Sequence, residues 1–149
     1  MKQKWPVYLS LTLAPLLPTV ASELSLVPLP QQVVVQQGKS FSLNQATRIA
    51  YQGDGAQASA ELLAEALRTA TGLPLKTGQT AGPAENTIFL RLASDAQALG
   101  EEGYGLTSTS AGVQIEASHP AGLFYGTQTL LQLLPSEQSE WTLPAVTIN

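Results

Sequence analysis

The 149-residue sequence contains no cysteine, one histidine and few charges, since Asp, Glu, Lys and Arg make up only 12% of it. The absence of cysteine excludes disulfide bonds, cysteine-ligated zinc and thiol nucleophiles. A single histidine, His119, without a cluster of carboxylates supplies too few ligands for a zinc site. We interpret His119 as a polar capping residue at a helix start. The sequence therefore predicts no metal site.

Basic residues are also scarce, since the sequence has 7 Lys and Arg but 11 Asp and Glu, which gives a formal net charge of -4. Recognition of nucleic-acid phosphates requires clustered Lys or Arg, and no such cluster occurs. Binding to an anionic membrane surface requires the same kind of cluster. We therefore expect neither nucleic acid nor a membrane surface as a partner.

The motifs that mark common active sites are missing as well. There is no Gly-x-Ser-x-Gly nucleophile turn and no glycine-rich phosphate loop ending in Lys-Ser or Lys-Thr. Glu101 and Glu102 form the only adjacent acidic pair, and they stand in a polar turn before Gly103, where solvation explains them. The residues alone thus predict no catalytic residue and no cofactor.

The first 21 residues have the layout of a secretory signal peptide. Lys2 and Lys4 form a charged start, and an apolar run over 7–17 is too short to span a bilayer as a stable anchor. Small residues precede a cleavage point after Ala21. We expect 1–21 to be removed and 22–149 to be exported, to the periplasm or outside the cell, without a membrane anchor. The competing interpretation is an unprocessed N-terminal segment.

The mature part mixes strand and helix patterns. Two-residue alternation and turn residues predict strands near 33–35, 41–43, 47–51, 87–92, 104–109, 113–117 and 141–149. Helical spacing predicts a first helix over 56–71, ended by Gly72 and Pro74. Its apolar stripe is predicted to comprise Leu62, Leu63, Ala66, Leu67 and Ala70.

A second helix is predicted over 118–134, ended by Pro135. One apolar stripe runs along it, but Phe124, Tyr125 and Leu133 lie off that stripe. A helix that is apolar on more than one side is normally covered on more than one side. We therefore predict that these three residues either form an interface with another domain or serve this domain's own core. Gly126 in mid-helix indicates close approach to another backbone.

Three segments, LVPLPQQVVVQQGKSFSLN, EEGYGLTSTSAGVQIEASHPAGLFYGTQTLLQLLP and LPAVTI, resemble the N-terminal accessory domain of glycoside hydrolase family 20 β-N-acetylhexosaminidases. The resemblance covers nearly all of 22–149, and AGLFYGTQTLLQLL is its sharpest part. It implies an α+β fold, in which an antiparallel sheet carries two amphipathic helices on one face. It also implies a following (β/α)8 barrel, whose Asp-Glu pair removes terminal N-acetylhexosamine by substrate-assisted hydrolysis.

No position of this sequence matches the family's catalytic motif, so the resemblance transfers no catalytic, cofactor-binding or metal-binding residue. We expect this chain alone to be inactive, as the non-catalytic part of an exported hexosaminidase whose barrel it lacks. Its expected partner is that barrel. The alternative is a free-standing exported module that binds a carbohydrate or a protein, for which a glycan would be the partner. An enzyme with an unfamiliar site is the third hypothesis, and no constellation of residues supports it.

Overall fold

A computed structural model describes residues 26, 30, 32–36, 38, 40–93, 99–135 and 140–149. The predicted signal peptide, 1–21, lies outside the described residues. The elements within the described residues are β1 (Val33–Val35), β2 (Phe41–Ser42), β3 (Arg48–Gln52), α1 (Ala56–Thr71), β4 (Lys76–Gln79), β5 (Thr87–Leu92), β6 (Tyr104–Thr109), β7 (Gly112–Ala117), α2 (Pro120–Gln132), β8 (Thr142–Leu143) and β9 (Val146–Ile148).

Seven strands form one sheet in the order β1-β9-β6-β7-β5-β3-β4, and β2 pairs with β8 beside it. The α+β class is confirmed, but the sheet is mixed rather than wholly antiparallel. Strands β4, β3, β5 and β7 pair in parallel, and β7, β6, β9 and β1 pair antiparallel. Strands β3 and β4 pair in parallel because α1, which connects them, returns the chain to the end of the sheet where β3 began.

The main core lies between the sheet and the two helices. Both helices contact strands of the sheet and each other. Alternate residues of the strands face the helices, so that the register aligns two apolar rows across the sheet. Ile49 and Ile88 are fully buried in one row, and Leu90, Ile115, Leu106 and Ile148 are fully buried in the other. Each such side chain contributes about 1.5–3 kcal/mol on burial.

Helix α1 has the predicted bounds, but its buried stripe is rotated from the predicted one. Gly72 ends it in the left-handed conformation and donates its N–H to the Arg68 carbonyl at 2.8 Å. The buried residues are Ala56, Ser59, Ala60, Leu63, Ala64 and Leu67. Small residues let the helix lie close to the sheet, whereas Leu62 is 55% exposed. The inclusion of Leu62 and Ala70 in the stripe was therefore wrong.

Two glycines bring α2 close to the sheet. A Cβ atom at Gly126 would stand 2.5 Å from Ile115 Cγ2 and 3.2 Å from the Tyr104 ring. A Cβ atom at Gly122 would collide with the Gly103 carbonyl. The expected backbone contact thus occurs one turn earlier than predicted, at Gly122, whereas Gly126 makes room for side chains of β6 and β7.

The segment 80–86 is a strap across the face of the sheet opposite to the helices. It connects β4 to β5, and β3 lies between these two parallel strands. The Thr80 N–H donates to the Tyr51 carbonyl near one end of β3, and Asn86 accepts from Arg48 N–H at the other. This crossing accounts for the burial of Ala50 and Phe89, whose register places them on that face.

Candidate functional site: the outer face of the second helix

Phe124 and Tyr125 lie on the outer side of α2. They are 41% and 40% exposed, while Leu123, Gly126 and Leu130 on the opposite side are buried. The two rings form an edge-to-face pair, with centroids 5.8 Å apart and planes at 63°. Such pairs contribute about 0.5–1.5 kcal/mol beyond buried area, so the rings stabilise each other's positions. We call these two residues the aromatic patch.

Leu133 does not belong to the aromatic patch. It is 6% exposed and packs in the hydrophobic core cluster. It follows the last residue of α2, and its N–H donates to the carbonyls of Thr129 and Leu130, both at 3.2 Å. This C-cap geometry turns its side chain inward. Of the two predicted roles for Leu133, its burial favours packing in the domain's own core.

An exposed leucine lies on the neighbouring helix, α1. Leu62 of α1 projects from the side opposite to the buried residues Leu63 and Leu67. Sequence reasoning missed it because it was counted in the buried stripe. The signal that could have revealed it is the run of alanines at 56, 60 and 64, which define a better inner face at the same spacing.

The aromatic patch is electrically neutral. Helix α2 contains no acidic or basic residue between Pro120 and Gln132. The Tyr125 hydroxyl forms no hydrogen bond with any of the described residues. A neutral surface with two aromatic rings and one free hydroxyl is suited to packing against another protein surface, which would cover the rings and pair the hydroxyl.

The candidate residues for chemistry do not converge. His119 occupies the N-cap position of α2 without a side-chain capping bond, so its expected capping role is not found. Ser118, the residue before it, donates to the Gly100 carbonyl at 2.9 Å instead. Glu116 pairs with Arg91 at 3.0 Å on the face opposite to the helices. Among the described residues, no three His, Cys, Asp or Glu side chains gather as metal ligands.

Across the described ranges, no helix is long and apolar enough to cross a membrane.

Comparison with known proteins identifies the domain. Residues 23–149 match the family model described as glycosyl hydrolase family 20, domain 2. A β-hexosaminidase of Porphyromonas gingivalis is 36% identical over 121 residues, which are 81% of this chain and 15% of that protein. A lacto-N-biosidase of Bifidobacterium bifidum is 30% identical over 109 residues, 73% of this chain and 10% of that protein.

Solved structures agree with the sequence relatives. The GH20 β-N-acetylhexosaminidase from Streptomyces coelicolor A3(2) superposes with a TM-score of 0.70 and 35% identity. The match covers 80% of this chain and 24% of that one. The chain thus spans less than a quarter of the length of each of these proteins. With the family model matching nearly all residues beyond the predicted leader, the chain belongs to glycosyl hydrolase family 20, as its domain 2.

Proposed function

We propose that this chain is the non-catalytic N-terminal domain of an exported β-N-acetylhexosaminidase, and that the aromatic patch packs against the catalytic (β/α)8 barrel of that enzyme. The barrel would remove terminal N-acetylhexosamine by substrate-assisted hydrolysis, and this chain would supply none of the reacting groups. The observation that carries the proposal is the exposure of Phe124 and Tyr125 on an uncharged helix. Aromatic residues are enriched at protein interfaces, where their rings pack against apolar side chains of the partner.

The ring geometry favours a protein partner over a sugar at this patch. Sugar stacking uses the flat face of a ring, whereas Phe124 and Tyr125 stand at 63° to each other. Two rings so inclined present no common plane, but they can interlock with apolar side chains of a facing surface. The free-standing carbohydrate-binding alternative therefore gains no support from the aromatic patch.

The first experiment is to sequence the encoding DNA beyond the codon for Asn149 and translate it in all forward frames. The proposal expects a barrel there, with an Asp-Glu pair at a strand end. A stop codon followed by unrelated sequence would refute the attachment to a barrel, and the chain would then be a module in its own right.

The second experiment tests the patch in the enzyme that contains both domains. Replacing Phe124 and Tyr125 together by Ser should split its calorimetric unfolding into two transitions, because the domains no longer share an interface. The Val34→Ser variant is a matched control, since Val34 is also exposed, at 52%, but lies on strand β1. An unchanged unfolding profile in the double variant would show that the patch does not hold the domains together.

Export has its own test. N-terminal sequencing of the protein recovered outside the cytoplasm should begin at Ser22, the residue after the proposed cleavage point. Recovery of the chain with Met1 intact, and only from the cytoplasm, would overturn this part of the proposal.

A further inference from the structure

Strand β1 is one of the two outer edges of the seven-stranded sheet, and within the described residues its outer side pairs with no strand. Its inner side pairs with β9, where Gln32 and Asn149 each donate a main-chain N–H to the carbonyl of the other, both at 3.0 Å. In an antiparallel pair, such bonded positions alternate with positions whose N–H and C=O point away from the partner strand. The main-chain N–H and C=O groups of Val33 and Val35 therefore point outward, where they are free to pair with another strand.

The two edges of the sheet differ in how well they are protected from such pairing. Strand β4, at the other edge, contains the charged Lys76 and the poor strand former Gly78, which both oppose the addition of a strand. Strand β1 contains only valine, and Val34 and Val35 are 52% and 61% exposed. The sequence has no charge, proline or glycine over 31–37. An exposed and uncharged edge of this kind is a template for another strand.

The sequence around β1 reads the same in both directions. Residues 31–37 are QQVVVQQ, with Val34 at the centre. When two copies of this segment pair antiparallel about Val34, every residue meets its own kind: Val34 lies opposite Val34 of the second copy, and Val33 lies opposite Val35. A register centred on Val33 would instead set Val34 opposite Gln32. The palindrome therefore selects one register for self-pairing.

The same register also pairs the free main-chain groups. Val33 and Val35, whose N–H and C=O groups point outward, become the hydrogen-bonded pairs of the new ladder. Val34, whose main-chain groups face β9, becomes the central non-hydrogen-bonded pair, in which side chains approach most closely. Cross-strand contacts between β-branched residues favour such a ladder.

We propose that two copies of this chain associate through β1, which pairs antiparallel with itself about a twofold axis at Val34 and joins the two sheets into one. A twofold interface must be complementary to itself, and a palindromic strand with an open edge meets that condition. No charge lies within 31–37, so no like charges oppose each other along the ladder. The contact is much smaller than a stable interface, so we expect a dissociation constant of roughly 0.1–1 mM.

This association is independent of the proposed function. Helix α2 contacts β5, β6 and β7, and β9 lies between β6 and β1. Pairing through β1 therefore leaves the aromatic patch free to contact another surface. A test on this chain alone requires no barrel and no hydrolysis, so its failure and the failure of the proposed function are distinguishable.

The absence of cysteine makes the register directly testable, since a single introduced thiol can form a disulfide only between two copies. Across a non-hydrogen-bonded pair the Cα atoms stand about 4.5 Å apart, within the range of about 4.4–6.8 Å that a disulfide requires. With dissolved oxygen as oxidant and copper phenanthroline as catalyst, the Val34→Cys chain should form a covalent dimer on non-reducing gels. Val33→Cys and Val35→Cys should form it at least about tenfold more slowly, because each thiol meets its copy only diagonally, at about 7–8 Å.

Two control variants measure the rate of random collision. Leu62→Cys matches Val34 in exposure, at 55%, but lies on α1, and Gln79→Cys lies on the opposite edge strand, β4. Both should react as slowly as the diagonal variants. Equal rates for Val34→Cys and these controls, or a faster reaction of Val33→Cys or Val35→Cys than of Val34→Cys, would overturn the proposal.

A second experiment measures association without a disulfide. Val35→Pro removes an outward N–H that the domain's own sheet does not use, and proline is tolerated at such edge positions. Its urea midpoint should therefore stay close to that of the unchanged chain, whereas its self-association, measured by sedimentation equilibrium up to about 1 mM, should weaken at least about tenfold. An unchanged chain that stays monomeric throughout, or a Val35→Pro chain that associates equally well, would overturn the proposal.

A charge exchange at the axis tests the symmetry itself. Val34→Lys and Val34→Glu should each abolish self-association, because like charges would face each other across the axis. An equal mixture of the two should associate, since opposite charges then face each other. A mixture that associates no better than either variant alone would show that position 34 does not meet itself.

Discussion

Asn86 connects three parts of the sheet, and its replacement tests the account of the strap. Its side-chain oxygen accepts from the Thr47 hydroxyl at 2.7 Å, and its amide nitrogen donates to Asn44 Oδ1 at 3.2 Å. Its main-chain N–H donates to the Ala111 carbonyl at 2.7 Å, in the β6–β7 turn. Asn86 also adopts a left-handed conformation, with φ at 53°, which asparagine tolerates and alanine does not.

The expected cost of Asn86→Ala is the sum of two effects. Losing the side-chain bonds to Thr47 and Asn44 costs about 1 kcal/mol each, because Thr47 is buried and is left without its acceptor. Holding alanine in the left-handed region costs about 1–2 kcal/mol more. Together these destabilise the fold by about 3–4 kcal/mol, a large part of the 5–15 kcal/mol typical of a domain.

Two further variants separate the effects. Asn86→Gly loses the side-chain bonds but accepts the backbone conformation, so it should destabilise the fold by about 0.5–1 kcal/mol less than alanine. Asn86→Asp keeps the acceptor for Thr47 and loses only the donation to Asn44, so about 1 kcal/mol is expected. The assay is urea unfolding followed by far-ultraviolet circular dichroism. A cost below about 1 kcal/mol for alanine, or glycine being the worst of the three, would refute the reasoning.

Three other predictions concern the packing of α2 and the sheet. Gly126→Ala should lower the free energy of unfolding by about 1–2 kcal/mol, because overpacking against Ile115 exceeds the gain in helix propensity. Gly122→Ala should lower it further, since a Cβ atom there meets the Gly103 backbone. Gly82→Ala, with open space around it, is the control. Ser108→Ala should be neutral or stabilise by up to about 1 kcal/mol, because its buried hydroxyl has no partner among the described residues, and a clear loss of stability would reveal a missing contact. Tyr104→Phe should cost about 1–2 kcal/mol, since it removes the 2.6 Å bond to the Thr129 hydroxyl, and an unchanged urea midpoint would show that water replaces it.

The sequence predicted the elements that carry a strong local pattern. Helix α1 has the predicted bounds, because alanines and leucines at helical spacing end at a glycine and a proline. The hairpin of β6 and β7 was visible from the alternation of Leu106, Val113 and Ile115 around a glycine turn. These patterns require only neighbours in the chain.

Features that depend on distant contacts were not predictable in the same way. Strand β4 has the sequence KTGQ, which lacks apolar alternation and therefore predicts no strand. It is a strand because α1 delivers it to the edge of β3, where parallel hydrogen bonds are available. The side chain of Leu133 turns inward because Leu133 is the C-cap residue that follows the end of α2. Helical spacing continued past that end does not predict the direction of this side chain.

The aromatic patch follows from the same packing that places α2 on the sheet. Because Gly122 and Gly126 occupy its inner side, the helix lies too close to β6 and β7 for large side chains there. Phe124 and Tyr125 stand between these glycines, on the outer side, and each keeps about two fifths of its surface exposed. Neither side chain belongs to the hydrophobic core of this domain, so the exposed parts of the two rings are not used in its own packing. The exposed rings are therefore the observation on which the proposed contact with a catalytic barrel rests.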